Sequence, residues 1–223
     1  MKPTLVVGDI HGEWDALFRK IGHLDLRDCT LICVGDVGIG FMEPLKQQRQ
    51  FNHHNDFFKS RNIEFLGIRG NHDDPKYFDN SVNLNHFKLI PDYTTLTLND
   101  KMFLFVGGAI SIDRTIRKEG ISYWKDEMFN LDQSKLQRCD VLITHSAPTW
   151  NGPIEKNGML ASFCQKDPTL WDECMEERKQ HDILIKLSGA KRHYCGHFHE
   201  SFVVDFDDCV STILDILQIA EIR

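Results

Sequence analysis

Six short β-type runs each stop in a cluster of Gly, Asp, Asn or His, and this punctuation constrains the fold more than any other feature. They occupy residues 4–8, 30–35, 63–70, 102–107, 141–145 and 191–196. Each has strand length, and all but the more polar 191–196 are rich in β-branched or aromatic residues, the pattern of a buried strand. Helical patterns lie between the early runs. In 13–21, Trp14, Leu17, Phe18 and Ile21 recur at i, i+3, i+4 and i+7. In 44–59, Leu45, Phe51, Phe57 and Phe58 fall on or near one face, behind a Glu43-Pro44 entry. Strands alternating with helices predict βαβ units in the first half. The second half is patterned differently. Residues 93–98, 102–106, 202–206 and 211–219 read as strands with few helices between them, the last two antiparallel across Asp207-Asp208, and 168–187 reads as a helix. There is no repeat and no linker long enough to divide the chain, so 1–223 is expected to be one mixed α/β domain.

Composition narrows the function classes. Acidic residues exceed basic ones by 33 to 26, which argues against bulk phosphate-backbone binding to nucleic acid. The longest apolar run, 102–110, contains two glycines and falls short of the roughly 18 residues of a membrane-spanning helix. No secretory signal is read at the N-terminus. Seven cysteines without a C-x-x-C pair predict reduced, mostly buried thiols in a cytoplasmic protein. Eleven histidines are an excess that calls for a metal or proton-transfer site.

Five of the strand-end clusters carry ligand chemistry: Gly8-Asp9-Ile10-His11-Gly12, Gly35-Asp36-Val37-Gly38, Gly70-Asn71-His72-Asp73, Thr144-His145 and Gly196-His197-Phe198-His199. Neighbouring strands of a sheet would gather them beyond the strand C-termini, where α/β proteins place their sites. An Asp-x-His turn offers one cation a carboxylate and an imidazole, and a lone Asp can bridge two cations. Asn adds a neutral oxygen. Mixed N/O ligation without thiolate suits Mn first, with Fe, Zn, Ni, Co or Mg as other occupants. Two such ions about 3.5–4 Å apart can activate water and clamp a phosphoryl group.

In this order the blocks resemble those of the calcineurin-like metallophosphoesterase superfamily, and between them the chain is loosely similar to small bacterial and phage phosphoesterases with a Gly-Gly-Ala-x-Ser-Ile-Asp-like strand (107–113) before a Trp-bearing segment (Tyr123-Trp124). The resemblance implies a four-layer α-β-β-α sandwich of two mixed β-sheets flanked by helices. It implies two divalent ions, one held by Asp9, His11, Asp36 and His199, the other by Asp36, Asn71, His145 and His197. A bridging hydroxide would attack the phosphorus, and His72 would contact the phosphate and help protonate the leaving oxygen. The implied activity is hydrolysis of a phosphate ester, with a small or exposed monoester preferred. A phosphodiesterase or nuclease, and a non-catalytic metal- and phosphate-binding module, stand as alternatives.

The chain departs from the protein-phosphatase branch of that superfamily. There the second block carries an Asp that pairs with the catalytic His and an Arg that grips phosphate, and those positions here are Ile39 and Gly40. The replacement carboxylate is sought among Asp73, Asp74 and Asp113. The replacement cation is sought at Arg114 or Arg117, Arg114 first, with Arg69 a third option that is equally readable as a strand-end residue pairing with a carboxylate. Residues 149–163 read as a loop rimming the pocket. Trp124 and Trp150 read as packing residues before stacking platforms. His53-His54 is expected on a solvated helix face, His23, His86, His181 and His193 in structural roles, and Cys195 buried and unreactive.

Overall fold

Alternation along the strands decides the layering. In the computed structural model, which describes residues 2–153, 155–156 and 158–222, β1 (Thr4–Val7) leads through α1 (Trp14–His23) to β2 (Thr30–Cys33). That strand leads through α2 (Pro44–Ser60) to β3 (Glu64–Gly67), and β4 (Phe87–Leu89) follows. Leu31 and Cys33 of β2 face the helices, packing with Leu17 and Ile21 of α1 and Phe51 and Phe58 of α2. Ile32, with Val34 just beyond the strand, faces the other way, as do Val6 of β1 and Leu66 of β3. Strand geometry sends successive side chains to opposite faces, so an uninterrupted apolar strand has to be covered on both.

The second cover is another sheet. β5 (Thr94–Leu98), β6 (Lys101–Val106), β7 (Val141–Thr144), β8 (Arg192–Cys195), β9 (Phe202–Phe206) and β10 (Cys209–Ile213) form it in the order β5-β6-β7-β8-β10-β9. Phe103, Phe105, Val141, Ile143 and Tyr194 meet the inner face of the first sheet, while Leu104, Val106 and Leu142 turn outward to Leu184 and Ile185 of a helix. Two helices follow β7, one at Gly158–Lys166 (α3) and one at Leu170–Ser188 (α4), the latter ended by Gly189 in a left-handed conformation. The result is the expected α-β-β-α sandwich of two mixed sheets.

Three local expectations change. The run 211–219 is not one strand: β10 ends at Ile213, the chain crosses over, and β11 (Ile219–Glu221) pairs antiparallel with β1 in the first sheet. The crossing segment is pinned to the first ligand block, Gly8 N–H donating to Gln218 O at 2.9 Å and Leu217 N–H to Asp9 O at 3.0 Å. The stretch 149–163, expected as a loop, becomes helix from Gly158, and within it Ile154 and Asn157 lie outside the described residues. His53 is exposed but His54 is buried, its ring stacked on the Trp14 indole at 3.9 Å. Burial, aided by His53, pushes the His54 imidazole down to about 3, so it packs as a neutral aromatic ring. The antiparallel pairing of β9 with β10 and the helix near 168–187 are as expected. Among the described residues no helix is long and apolar enough to cross a membrane.

Candidate metal centre

The sheets deliver the five blocks to one edge because β1, β2, β3, β7 and β8 run parallel to a strand neighbour and end together. Four ligand side chains then sit on residues with left-handed backbone: His11, Asp36, His197 and His199, with φ of 49°, 46°, 72° and 53°. Non-glycine residues adopt this region rarely and at a cost of about 1–3 kcal/mol each. Strain of that kind is concentrated where turns aim side chains inward. The adjoining glycines are needed for a different reason, close approach: a Cβ on Gly70 would overlap Asp36 Oδ1, and one on Gly196 would overlap Asp9 Oδ1.

One group comprises Asp9, His11, Asp36 and His199, whose donor atoms lie within 4.8 Å of one another. His11 Nε2 and His199 Nε2 face each other at 2.8 Å, and Asp9 Oδ2 stands 3.3 Å from His199 Nε2 and 3.7 Å from His11 Nε2. The second group is Asp36, Asn71, His145 and His197. His145 Nε2 lies 3.3 Å from Asp36 Oδ1 and 3.1 Å from Asn71 Oδ1, and the His145 and His197 rings meet edge-on at 5.1 Å. Asp36 is common to both, its second oxygen 3.7 Å from His11 Nδ1. All seven residues are therefore brought together.

The donor set fits cations. Asp9 and Asp36 are buried, and among the described residues only imidazoles form ion pairs with them, with no Lys or Arg. Buried carboxylates need compensating charge. Burial opposes a charge on His145, but Asp36 and Asp9 overcome it and push that imidazole up to about 10. His145 lies 2.9 Å through Nδ1 from the Val34 carbonyl, to which it donates, and this leaves Nε2 as its ligand atom.

The sequence model of the calcineurin-like phosphoesterase family matches residues 2–201. The chain belongs to this family. A solved structure described as GAP50, the anchor in the inner membrane complex of Plasmodium, aligns over 95% of this chain and 70% of its own, at 14% identity and a TM-score of 0.47. So distant a likeness carries no functional argument. A search of curated proteins gives no match.

Within this calcineurin-like phosphoesterase the arginines fall differently from the sequence reading. Arg114 is engaged elsewhere, bound to Asp167 and Glu173 at 2.6 Å each, where it ties its own turn to α4 and the turn before it. Arg69 pairs with Asp92 at 2.8 Å and donates to the carbonyls of Asp126, Glu127 and Met128, the strand-end role considered for it. Arg117 is the arginine at the site. Its Nη2 donates to the His72 ring, 3.1 Å from Nδ1 and closer to Nε2, and its Nε pairs with Asp113 at 2.7 Å. Burial and Arg117 push His72 down to about 4, although Asp36 pulls the other way.

None of the three candidate carboxylates bonds His72 directly. Asp113 acts at one remove, through Arg117. Asp74 pairs with Lys76 and accepts from its amide. Asp73 is fully buried and accepts the backbone N–H groups of Val37, Gly38, Ile39 and Gly70 at 2.8–3.0 Å, clamping the second block to the third. Trp124 is buried against Phe41, and Trp150 stacks on Phe206 at 5.1 Å, so both serve packing. His86, His181 and His193 bond backbone or hydroxyl groups. All seven cysteines are free, and burial raises the Cys195 thiol well above its ordinary range. Two residues went unread in the sequence. Ser111 and Glu127 sit directly behind Asn71; Ser111 belongs to the Gly-Gly-Ala-x-Ser run, but nothing in the sequence marks Glu127.

Proposed function

We propose that the chain is a two-metal phosphomonoesterase acting on a small or exposed phosphate. The observation that carries the reading is the convergence of seven ligand residues on two adjoining groups, with His72 and Arg117 at their margin. Ions held by Asp9, His11, Asp36 and His199 and by Asp36, Asn71, His145 and His197 would supply Lewis acidity and lower the pKa of water. Manganese is the occupant we favour, since imidazole with carboxylate and amide oxygen is a ligand set it shares with the harder divalent ions.

The protein groups do the remainder. Arg117 receives the non-bridging phosphoryl oxygens, held in place by Asp113 so that its outer nitrogen meets the substrate where it now meets His72. His72 contacts the same phosphate and, once the dianion draws Arg117 away and raises the depressed pKa of the ring, delivers a proton to the leaving oxygen. A fixed guanidinium beside the ligand cluster favours the dianionic monoester over a diester. The free thiols agree with a reducing, cytoplasmic setting.

The test is turnover by manganese-loaded protein of aryl phosphate, bis-aryl phosphate, nucleotides and cyclic nucleotides. Preference for the monoesters is expected. Preference for the diesters would replace the monoester reading with a phosphodiesterase, and no turnover at full metal occupancy would leave a binding module.

A further inference from the structure

A buried chain of hydrogen bonds runs behind Asn71, and its direction is fixed at its far end. Trp124 N–H donates to Glu127 Oε2 at 3.1 Å, and the Ser111 hydroxyl bonds Glu127 Oε1. Ser111 Oγ meets Asn71 Nδ2 at 3.1 Å and Arg117 Nη1 at 3.3 Å. Beyond Asn71, its Oδ1 faces His145 Nε2 at 3.1 Å. Glu127, Ser111 and Asn71 are 0%, 1% and 4% exposed, so bulk water does not compete for these bonds.

The donors follow by elimination. A guanidinium and a backbone N–H can only donate. Arg117 therefore takes one lone pair of Ser111, and Trp124 takes one oxygen of Glu127. The Ser111 proton can go to Glu127 or to Asn71. Burial pushes the Glu127 carboxyl up to about 7, against the pull of Ser111 and Trp124; above that pH it is a carboxylate, which can only accept, and it claims the proton. Ser111 keeps a lone pair for Asn71, whose amide must then turn its NH₂ backward and its oxygen forward to the second ligand group. An amide in the opposite orientation would present N–H groups to a cation.

We propose that Glu127 is a positioning residue for this site: through the Ser111 hydroxyl it sets the orientation of the Asn71 amide and steadies Arg117 against His72. The inference rests on the two-metal reading. It concerns no contact with substrate, and it makes Glu127 specific to one of the two ion groups, because Asp9, His11 and His199 lie outside the chain of bonds.

Glu127→Gln tests the direction of the bonds with little change of shape. Its amide oxygen goes to Trp124 N–H, its NH₂ then donates to Ser111, and the Ser111 proton turns to Asn71 and flips that amide. Titration of the metal-free full chain with Mn²⁺ in a calorimeter, on the alkaline side of the Glu127 pKa, is expected to give two ions for the parent. For Glu127→Gln one ion should bind as before and the other about 10–100-fold more weakly, the usual effect of losing a ligand's supporting bond. Ser111→Ala, a smaller truncation, should weaken the same ion and leave the other.

Rescue separates direction from mere packing. In the Glu127→Gln background, Asn71→Asp offers oxygen on both sides, accepts the reversed Ser111 hydroxyl and restores the weakened ion. With Glu127 intact, Asn71→Asp sets two carboxylates against one Ser111 proton and should weaken it. Two tight ions in Glu127→Gln would overturn the proposal, as would equal gain from Asn71→Asp in both backgrounds, which is a charge effect. Loss of both ions in Glu127→Gln and Ser111→Ala alike would also overturn it, since that marks a structural role. Fewer than two ions in the parent would instead refute the two-metal reading and remove the basis of this one.

Discussion

Asp73→Asn isolates the clamp between two ligand blocks. The Asp73 carboxylate is fully buried and takes four backbone N–H groups, from Val37 at 3.0 Å, Gly38 at 2.8 Å, Ile39 at 2.9 Å and Gly70 at 2.8 Å. Both oxygens are used, one by Val37 and Gly70, the other by Gly38 and Ile39. An Asn of the same shape keeps one oxygen and sets an NH₂ against the other pair of donors. Two buried N–H groups are then unpaired at about 1–3 kcal/mol each. Burial and the Asp36 charge push the Asp73 carboxyl up, so removing its charge relieves some repulsion and offsets part of that loss. A net destabilisation of about 2–4 kcal/mol is expected, a large share of the roughly 5–15 kcal/mol that holds a domain folded. Urea unfolding of the chelated variant and parent, read as the midpoint shift at constant slope, measures it. A shift worth less than about 1 kcal/mol would refute the clamp, because an orphaned pair cannot cost so little.

Other consequences concern charge and the margin of the site. Burial pushes the Glu177 carboxyl up to about 8 from an ordinary 4.5, against the pull of Ser146 and His145. The folded form therefore holds a proton that the unfolded chain releases above its lower pKa, and stability should fall as pH rises from about 4.5 to about 8, by at most about 1.4 kcal/mol per unit of separation. Glu177→Gln should flatten that slope in melting temperatures of the chelated protein, and equal slopes in the two proteins would exclude the effect. Arg117→Ala should lower kcat/KM for a phosphate monoester by about 10²-fold, the effect of losing one charge-stabilising donor. Arg114→Ala, which breaks ion pairs away from the ligands, should lower the melting temperature and spare kcat/KM; the reverse ranking would return the phosphate to Arg114. His72→Ala should keep its metals while activity falls by about 10²–10⁴. Loss of the metals instead would make His72 part of the ligand shell.

The site was legible because each ligand follows its strand by only a few residues, so strand and ligand are read in one window. The layering came from the family resemblance; the uninterrupted apolar run 30–34 says only that its strand is covered on both faces. What escaped the sequence depends on distant partners. Arg114 and Arg117 stand three residues apart at the two ends of a short 3-10 turn, and their roles are divided by Asp167 and Glu173 on one side and His72 on the other. The run 211–219 looks continuous, yet Gly8 and Asp9 capture its far end through Gln218 and Leu217. His54 is polar by composition and is buried because Trp14, Phe18 and Phe87 surround its ring.

The central claim is a pair of ion groups sharing Asp36, and counting ions tests it most directly. Manganese bound per chain, determined by elemental analysis after equilibrium dialysis of parent and Asp36→Asn, should be two for the parent. In Asp36→Asn both groups lose their common carboxylate, and stoichiometric binding should be lost from the pair. One ion in the parent, or two tightly held ions in Asp36→Asn, would contradict the account.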